Sequence, residues 1–312
     1  MKVSRAISRV VTTAAAMASA IASLAACSPA ALLNAVIPRA GYDITSGLAY
    51  GAEVRQRLDV YAPEEAVGPA PVLVFFYGGS WRSGSRENYR FIGEAFASRG
   101  YVVVIPDYRL YPEARFPVFV EDGAKALKWV ERNVFQHGGD SQRVFLAGHS
   151  AGAHLAALLL FDPGYLAAAG FDRDRIVGFI GLAGPYAFDP LAYESTRAVF
   201  STVDSSDQAR PIAFVDKNAP PALLMHGLRD ETVELINAAE LAARLRKMSN
   251  EARLIAYPRR THIGLLLSLA APFRMRDSVH ADMLAFMKRQ SSQRGSATFP
   301  AASPATSEEG AR

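Results

Sequence analysis

The sequence predicts an α/β fold: a mostly parallel central sheet with helices on both faces. Two observations carry that expectation. Six short runs are rich in β-branched and aromatic residues and do not alternate with polar ones, which marks strands covered on both sides. Stretches with helical spacing separate them, and strand alternating with helix builds a parallel sheet through right-handed crossovers.

The elements follow in order. "LAYG" and "QRLDVYAP" (56–63) read as a hairpin leading into the sheet, with Gly51 at its turn. The expected strands are "PVLVFFY" (71–77), "YVVVIPDY" (101–108), "RVFLAG" (143–148), "IVGFIGLAG" (176–184), "PALLMHG" (221–227) and "ARLIAYP" (252–258). Helices are expected over about 86–99, 118–136, 151–161, 233–249 and 275–290. Gly138 and Gly139 act as stop signals for the second of these. Segment 185–219 has no clear period and reads as a lid or loop over the sheet edge. The Ser/Ala/Pro-rich end, 291–312, reads as a disordered tail. The folded domain therefore spans 41–290.

Composition narrows the function. The chain has 312 residues, 50% hydrophobic and 21% charged, with a net charge of +4. Lys2, Arg5 and Arg9 supply three of those charges, and without them the balance falls to +1. The body therefore lacks the basic face that nucleic acid requires. The single cysteine, Cys27, excludes an internal disulfide. With no C-x-x-C, H-E-x-x-H, P-loop or G-x-G-x-x-G, neither a metal nor an organic cofactor is expected.

The first 26 residues have the shape of a signal peptide: three cations, then an uncharged Ala-rich run. The run closes on "LAAC" (24–27), which resembles the bacterial lipoprotein lipobox. That resemblance implies a diacylglyceryl thioether on Cys27, cleavage before it, a tether over 27–40, and a membrane-anchored protein of the bacterial cell envelope. Two or more acyl chains make a stable anchor.

"VFLAGHSAGAHLAALLL" (144–160) places Ser150 in G-x-S-x-G between a strand and a helix. Such a turn holds the hydroxyl clear of the sheet, and the helix N-terminus offers N–H groups to developing negative charge. A serine hydroxyl needs a base, and the base needs an acid to orient it. The order Ser, acid, His is met by Asp230, in the loop after "LLMHG", and His262, in the loop after "LIAYP". Glu231 and Asp216 are the alternative acids, and His280 is the rival base. His149, His154 and His226 read as structural. The glycine pair in "FFYGGSW" (75–81) nominates the N–H groups of Gly79 and Ser80, with that of Ala151, as an oxyanion hole.

Together, "LDVYAP", "YGGSW", "DYRLYPEARFP", "AGHSAGAHLAAL", "HGLRDETV" and the Thr-His at 261–262 resemble the α/β-hydrolase superfamily. More narrowly, they are similar to carboxylesterases of the hormone-sensitive-lipase-like and feruloyl-esterase-like (BD-FAE) branch. The resemblance implies the α/β-hydrolase fold and a serine hydrolase of small-molecule carboxylic esters. Relatives carry His-Gly-Gly where this chain has Tyr77-Gly78-Gly79, so Tyr77 takes the position that shapes the oxyanion loop. Asp107, Arg109, Glu113 and Asp122 match family positions and imply structural ion pairs. Two other readings use the same residues: an arylformamidase or other amide-type hydrolase, and a non-catalytic binding lipoprotein.

Overall fold

Residues 29–275 and 278–297 are described by a computed structural model. The elements run α1 (Pro29–Val36), β1 (Tyr42–Ala49), β2 (Arg57–Pro63), β3 (Ala70–Phe76), α2 (Arg90–Ala97), β4 (Val102–Pro106), α3 (Val118–Asn133), β5 (Gly139–His149) and α4 (Ala151–Phe161). They continue with α5 (Pro163–Ala169), β6 (Ile176–Leu182), α6 (Glu194–Arg197), β7 (Ala222–Gly227), α7 (Ile236–Lys247), β8 (Ala252–Tyr257), α8 (His262–Leu267), α9 (Ala271–Arg274) and α10 (Val279–Ala297).

The strands form one eight-stranded sheet in the order β1-β2-β4-β3-β5-β6-β7-β8. β1 and β2 pair antiparallel, as does β2 with β4, and every other pair is parallel. β3, β4, β6 and β7, and β5 from Val144 onward, are buried almost throughout, which is why their sequences do not alternate. Phe76 packs toward α3, where a Cβ on Gly123 would lie 3.4 Å from its ring, while its neighbour Phe75 meets Tyr89 on the other face. Successive strand residues point to opposite faces, so both faces are covered. Apart from His154, α4 has apolar or small residues all round, and every one of its residues is buried. On the other face both α10 and α9 are joined to α2: His280 Nε2 of α10 meets the Ala95 carbonyl at 2.8 Å, and Arg274 of α9 pairs with Glu94.

All six expected parallel strands are present, and Gly138 (φ 74°) stops the turn that ends α3. Other expectations need correcting. Residues 29–36, expected as tether, form α1, and Ile37 behind it is buried in the core. α5 was not anticipated. Its start is nonetheless legible, because Asp162 caps the Gly164 N–H at 2.9 Å and Pro163 takes the first turn. α10 runs to Ala297, past the expected end at 290. The signal segment 1–26, Cys27 and residues 298–312 lie outside the described residues. No single helix among the described residues is long and apolar enough to cross a membrane.

Candidate active site

The strand-to-helix turn after β5 sets Ser150 at φ 54°, ψ −124°, a conformation that a side-chain-bearing residue adopts only under constraint. The constraint comes from close backbone approach. A Cβ on Gly148 would lie 2.4 Å from the Gly152 carbonyl oxygen, and one on Gly152 only 2.1 Å from that of Phe76. Neither position accepts a larger residue while α4 sits this close to β3. Gly78 completes the elbow, since a Cβ there would meet the Ser150 Cβ at 3.0 Å.

Asp230 lies past the end of β7. Its Oδ1 accepts the N–H groups of Thr232 and Val233, both at 2.9 Å, and its Oδ2 accepts from His262 Nδ1 at 2.8 Å. Burial raises its pKa, but the His262 hydrogen bond and the two N–H groups outweigh burial and hold the carboxyl below its ordinary value. His262 was expected in a loop. It is instead the first residue of α8, whose N-cap Thr261 accepts the Gly264 N–H at 3.1 Å. A helix start fixes the imidazole more firmly than a loop does.

His149, next to the elbow, does more than avoid the site. It is buried, its Nε2–H donates to the His262 carbonyl at 3.0 Å, and the two rings lie 4.6 Å apart. Burial and the neighbouring His262 push its pKa down to about 3, so it stays neutral. It thereby ties the elbow to the histidine segment. Among the described residues no hydrogen bond links Ser150 Oγ to His262 Nε2; in resting enzymes that contact often tightens only when substrate binds.

The other candidates are placed elsewhere. Asp216 pairs with Arg173 at 2.8 Å. Glu231 is exposed on the cavity rim. His280 is spent on Ala95. His226 is buried with Nε2 on the Val233 carbonyl at 2.9 Å and 3.5 Å from Asp230 Oδ2. His154 donates to the Ala209 carbonyl at 2.8 Å.

Gly79 and Ser80 follow β3 with φ of 131° and 53°. Among the described residues neither N–H is taken up by another backbone carbonyl. Ala151 is the first residue of α4, so its N–H has no acceptor within the helix. The loop is held from below by Tyr77. The Tyr77 hydroxyl donates to Asp107 Oδ1 at 2.6 Å and accepts from Arg55 at 2.9 Å. Its ring stacks between Tyr89 and Tyr108, 5.1 and 4.8 Å away. Asp107 also binds Arg86, while Arg109 and Asp122 pair through two bonds of 2.9 and 2.7 Å. Glu113 departs from expectation: it is exposed and has no ion pair among the described residues.

A cavity of about 370 Å³ opens at Ser150. Ser80, Trp81 and Ala151 line one side, Val233 and Asn237 another. Segment 185–219 supplies a wall with Phe188, Tyr193 and Thr196. It is fastened in place: Arg82 donates to the Ser195 carbonyl at 3.0 Å, Phe116 N–H to Val199 O at 3.0 Å, and His154 reaches it from α4. Phe188 stacks on Trp81 at 6.0 Å. Of the aromatics near the site, Trp81, Phe188 and Tyr193 face the cavity, whereas Tyr77, Tyr108 and Tyr186 are fully buried. Tyr193 and Asn237 carry no local motif, and only folding brings them to the site, whereas Val233 closes the "HGLRDETV" stretch beside Asp230. Among the described residues no cluster of three or more His, Cys, Asp or Glu could hold a metal ion.

The sheet order, the elbow after β5, the acid after β7 and the histidine after β8 define an α/β-hydrolase fold. Solved structures share it. Esterase B from Lactobacillus rhamnosis superposes with a TM-score of 0.75 at 21% identity, over 92% of this chain and 99% of that one. Esterase 2 from Thermogutta terrifontis, phosphorylated by paraoxon, gives 0.59 at 25% identity, over 72% and 85%. The chain belongs to the prolyl oligopeptidase family, whose profile matches residues 119–294; the BD-FAE profile matches residues 58–167. Among curated proteins it is 36% identical to esterase LipC of Mycobacterium tuberculosis, over 64% of this chain and 54% of that protein. It is 28% identical to a probable isoprenylcysteine alpha-carbonyl methylesterase of Arabidopsis thaliana, over 72% and 52%. The chain thus spans little more than half the length of these relatives.

Proposed function

We propose that the protein is a serine carboxylesterase that works through an acyl-enzyme. The observation that carries the proposal is the 2.8 Å bond from His262 Nδ1 to Asp230, beside a constrained Ser150 at the mouth of a cavity. Ser150 Oγ attacks the acyl carbon and His262 Nε2 takes its proton. Asp230 fixes the tautomer with Nδ1 protonated and stabilises the imidazolium. The N–H groups of Gly79, Ser80 and Ala151 receive the oxyanion. His262 then protonates the leaving alcohol, and water releases the acid by the same route. The esterase names of the curated relatives, and the phosphorylation of the Thermogutta esterase by paraoxon, support an ester substrate and an active-site nucleophile.

Hydrolysis of p-nitrophenyl acetate, butyrate, octanoate and palmitate by wild type and by Ser150→Ala tests this reading. Turnover is expected to vanish in the mutant while circular dichroism stays unchanged, and a fluorophosphonate is expected to label Ser150 alone. A mutant that retains wild-type turnover would overturn the mechanism. Cleavage of formanilides with none of esters would move the substrate to amides.

The "LAAC" motif supports a lipid anchor on Cys27 and a place in the bacterial cell envelope. Cys27→Ser is expected to release the protein from membranes. Retention of the mutant at the wild-type level would reject the anchor.

A further inference from the structure

α1 starts at Pro29, two residues beyond Cys27. Two residues reach at most ~7 Å. A lipid on Cys27 therefore holds this helix at the bilayer surface with almost no slack. Its sequence, "PAALLNAV", carries no charge.

The inner side of the helix is docked. Asn34 Nδ2 donates to the Glu87 carbonyl at 2.7 Å, Leu33 packs on the core, and Ile37 just beyond is buried. The outer side is apolar and open: Leu32 is 45% exposed, and Val36, one turn on, 61%. The open apolar side is free to take a second apolar partner, and acyl chains on Cys27 would supply one.

The docking site fixes which end of the molecule meets that surface. Glu87 belongs to the turn Arg86–Tyr89. The Arg86 N–H binds Asp107 at 2.8 Å, and Asp107 is the residue immediately after β4. α1 thus sits at the C-terminal edge of the parallel strands, the edge that carries Ser150, Asp230 and His262.

Resting on the anchor and esterase readings above, we propose that the outer face of α1 lies in the membrane interface and turns the mouth of the Ser150 cavity toward it. The enzyme then takes its esters from amphiphiles carried in the bilayer. Apolar side chains on the same edge extend the contact. Val54 stands in the loop leading to β2, while Leu228 and Ile263 flank the Asp230–His262 pair, and all are at least half exposed.

The test uses the full chain, extracted from a bacterial host and reconstituted in phosphatidylethanolamine–phosphatidylglycerol vesicles. Val36→Cys, and Val67→Cys in the loop before β3 at the opposite edge, each carry an environment-sensitive dye. Quenching by bilayer-borne nitroxide lipids is expected at position 36 and not at 67. Equal lack of quenching, or stronger quenching at 67, overturns the orientation. A blue shift at 36 without lipid quenching would place protein on the helix and overturns it too.

Two controls separate the layers. The wild-type chain has one cysteine; a Cys27 that reacts with maleimide after denaturation removes the anchor and the proposal with it. Hydrolysis of soluble p-nitrophenyl butyrate reports the esterase reading alone. Leu32→Ser/Val36→Ser is expected to keep that soluble rate but lose about tenfold on a vesicle-borne ester, because two apolar side chains leave the lipid. Equal rates on the vesicle ester would overturn the proposal.

Discussion

Tyr77 shows how one buried residue can hold the Gly79–Ser80 loop without lining the cavity. Its phenol is fully buried, and burial, with Tyr108 and Asp107 nearby, pushes its pKa well above the ordinary value. It remains a neutral donor to Asp107. Tyr77→Phe removes one hydrogen bond from Asp107 Oδ1, which keeps the Arg86 N–H, and one from Arg55, which keeps the Gly84 carbonyl, a loss of about 1–3 kcal/mol. A lowered urea midpoint and a kcat reduced more than KM are the expected readouts, since the loop above carries Gly79 and Ser80. Asp230→Asn acts differently. It keeps the volume but removes the charge that sets the His262 tautomer, and kcat is expected to fall by roughly 10⁴, with a modest drop in the thermal midpoint from the lost carboxylate.

At the scale of elements, the approach of α4 to β3 decides whether an elbow exists. Gly152→Ala would drive a methyl into the Phe76 and Tyr77 carbonyls, 2.1 and 2.4 Å from its ideal position. The helix must retreat, at a cost of roughly 3 kcal/mol, and Ser150 retreats with it. Stability and turnover are therefore expected to fall together, whereas Ser150→Ala is expected to lose turnover alone. The loop after β4 depends on Arg109 and the wholly buried Asp122, which also accepts from Gln56 at 2.7 Å. Arg109→Ala leaves that carboxylate unpaired, and a loss of about 3–5 kcal/mol is expected by chemical denaturation.

The whole molecule carries a set of histidines held neutral by burial. The pKa of His149 is pushed down to about 3, and those of His154 and His280 to about 4, from the ordinary 6.5. As pH falls below 6.5 the unfolded chain takes up these protons before the folded one does. Stability is therefore fully present above about pH 6.5 and erodes toward pH 4, by about 1.4 kcal/mol per pH unit for each such histidine. Asp230, with its lowered pKa, adds a loss of the same sign below 3.8. The thermal midpoint is expected to drop steadily between pH 7 and 4.5; a flat profile over that range would contradict the assignment.

What was legible in the sequence was whatever local chemistry dictates. Buried parallel strands must be apolar along their length, so β3 to β7 announced themselves. An elbow must have glycines at 148 and 152 around Ser150, and a base must follow on a later strand, so Asp230 and His262 could be named before any contact was known. The sequence also excluded a disulfide framework by itself, through a single cysteine. Tertiary structure decided the rest. Whether Asp230 or its neighbour Glu231 faces His262 depends on a turn whose direction is set by the Thr232 and Val233 N–H groups. That His149 braces His262, that Asn237 and Tyr193 reach the cavity, and that Glu113 stays unpaired all depend on segments distant in sequence meeting in space. So does the seat of α1 at the C-terminal edge of the parallel strands, which a polar residue at 34 could not reveal until Glu87 lay opposite it. Periodicity and motif spacing act within a few residues, whereas these contacts join residues 50 to 113 apart, and only the closed sheet brings them within hydrogen-bond reach.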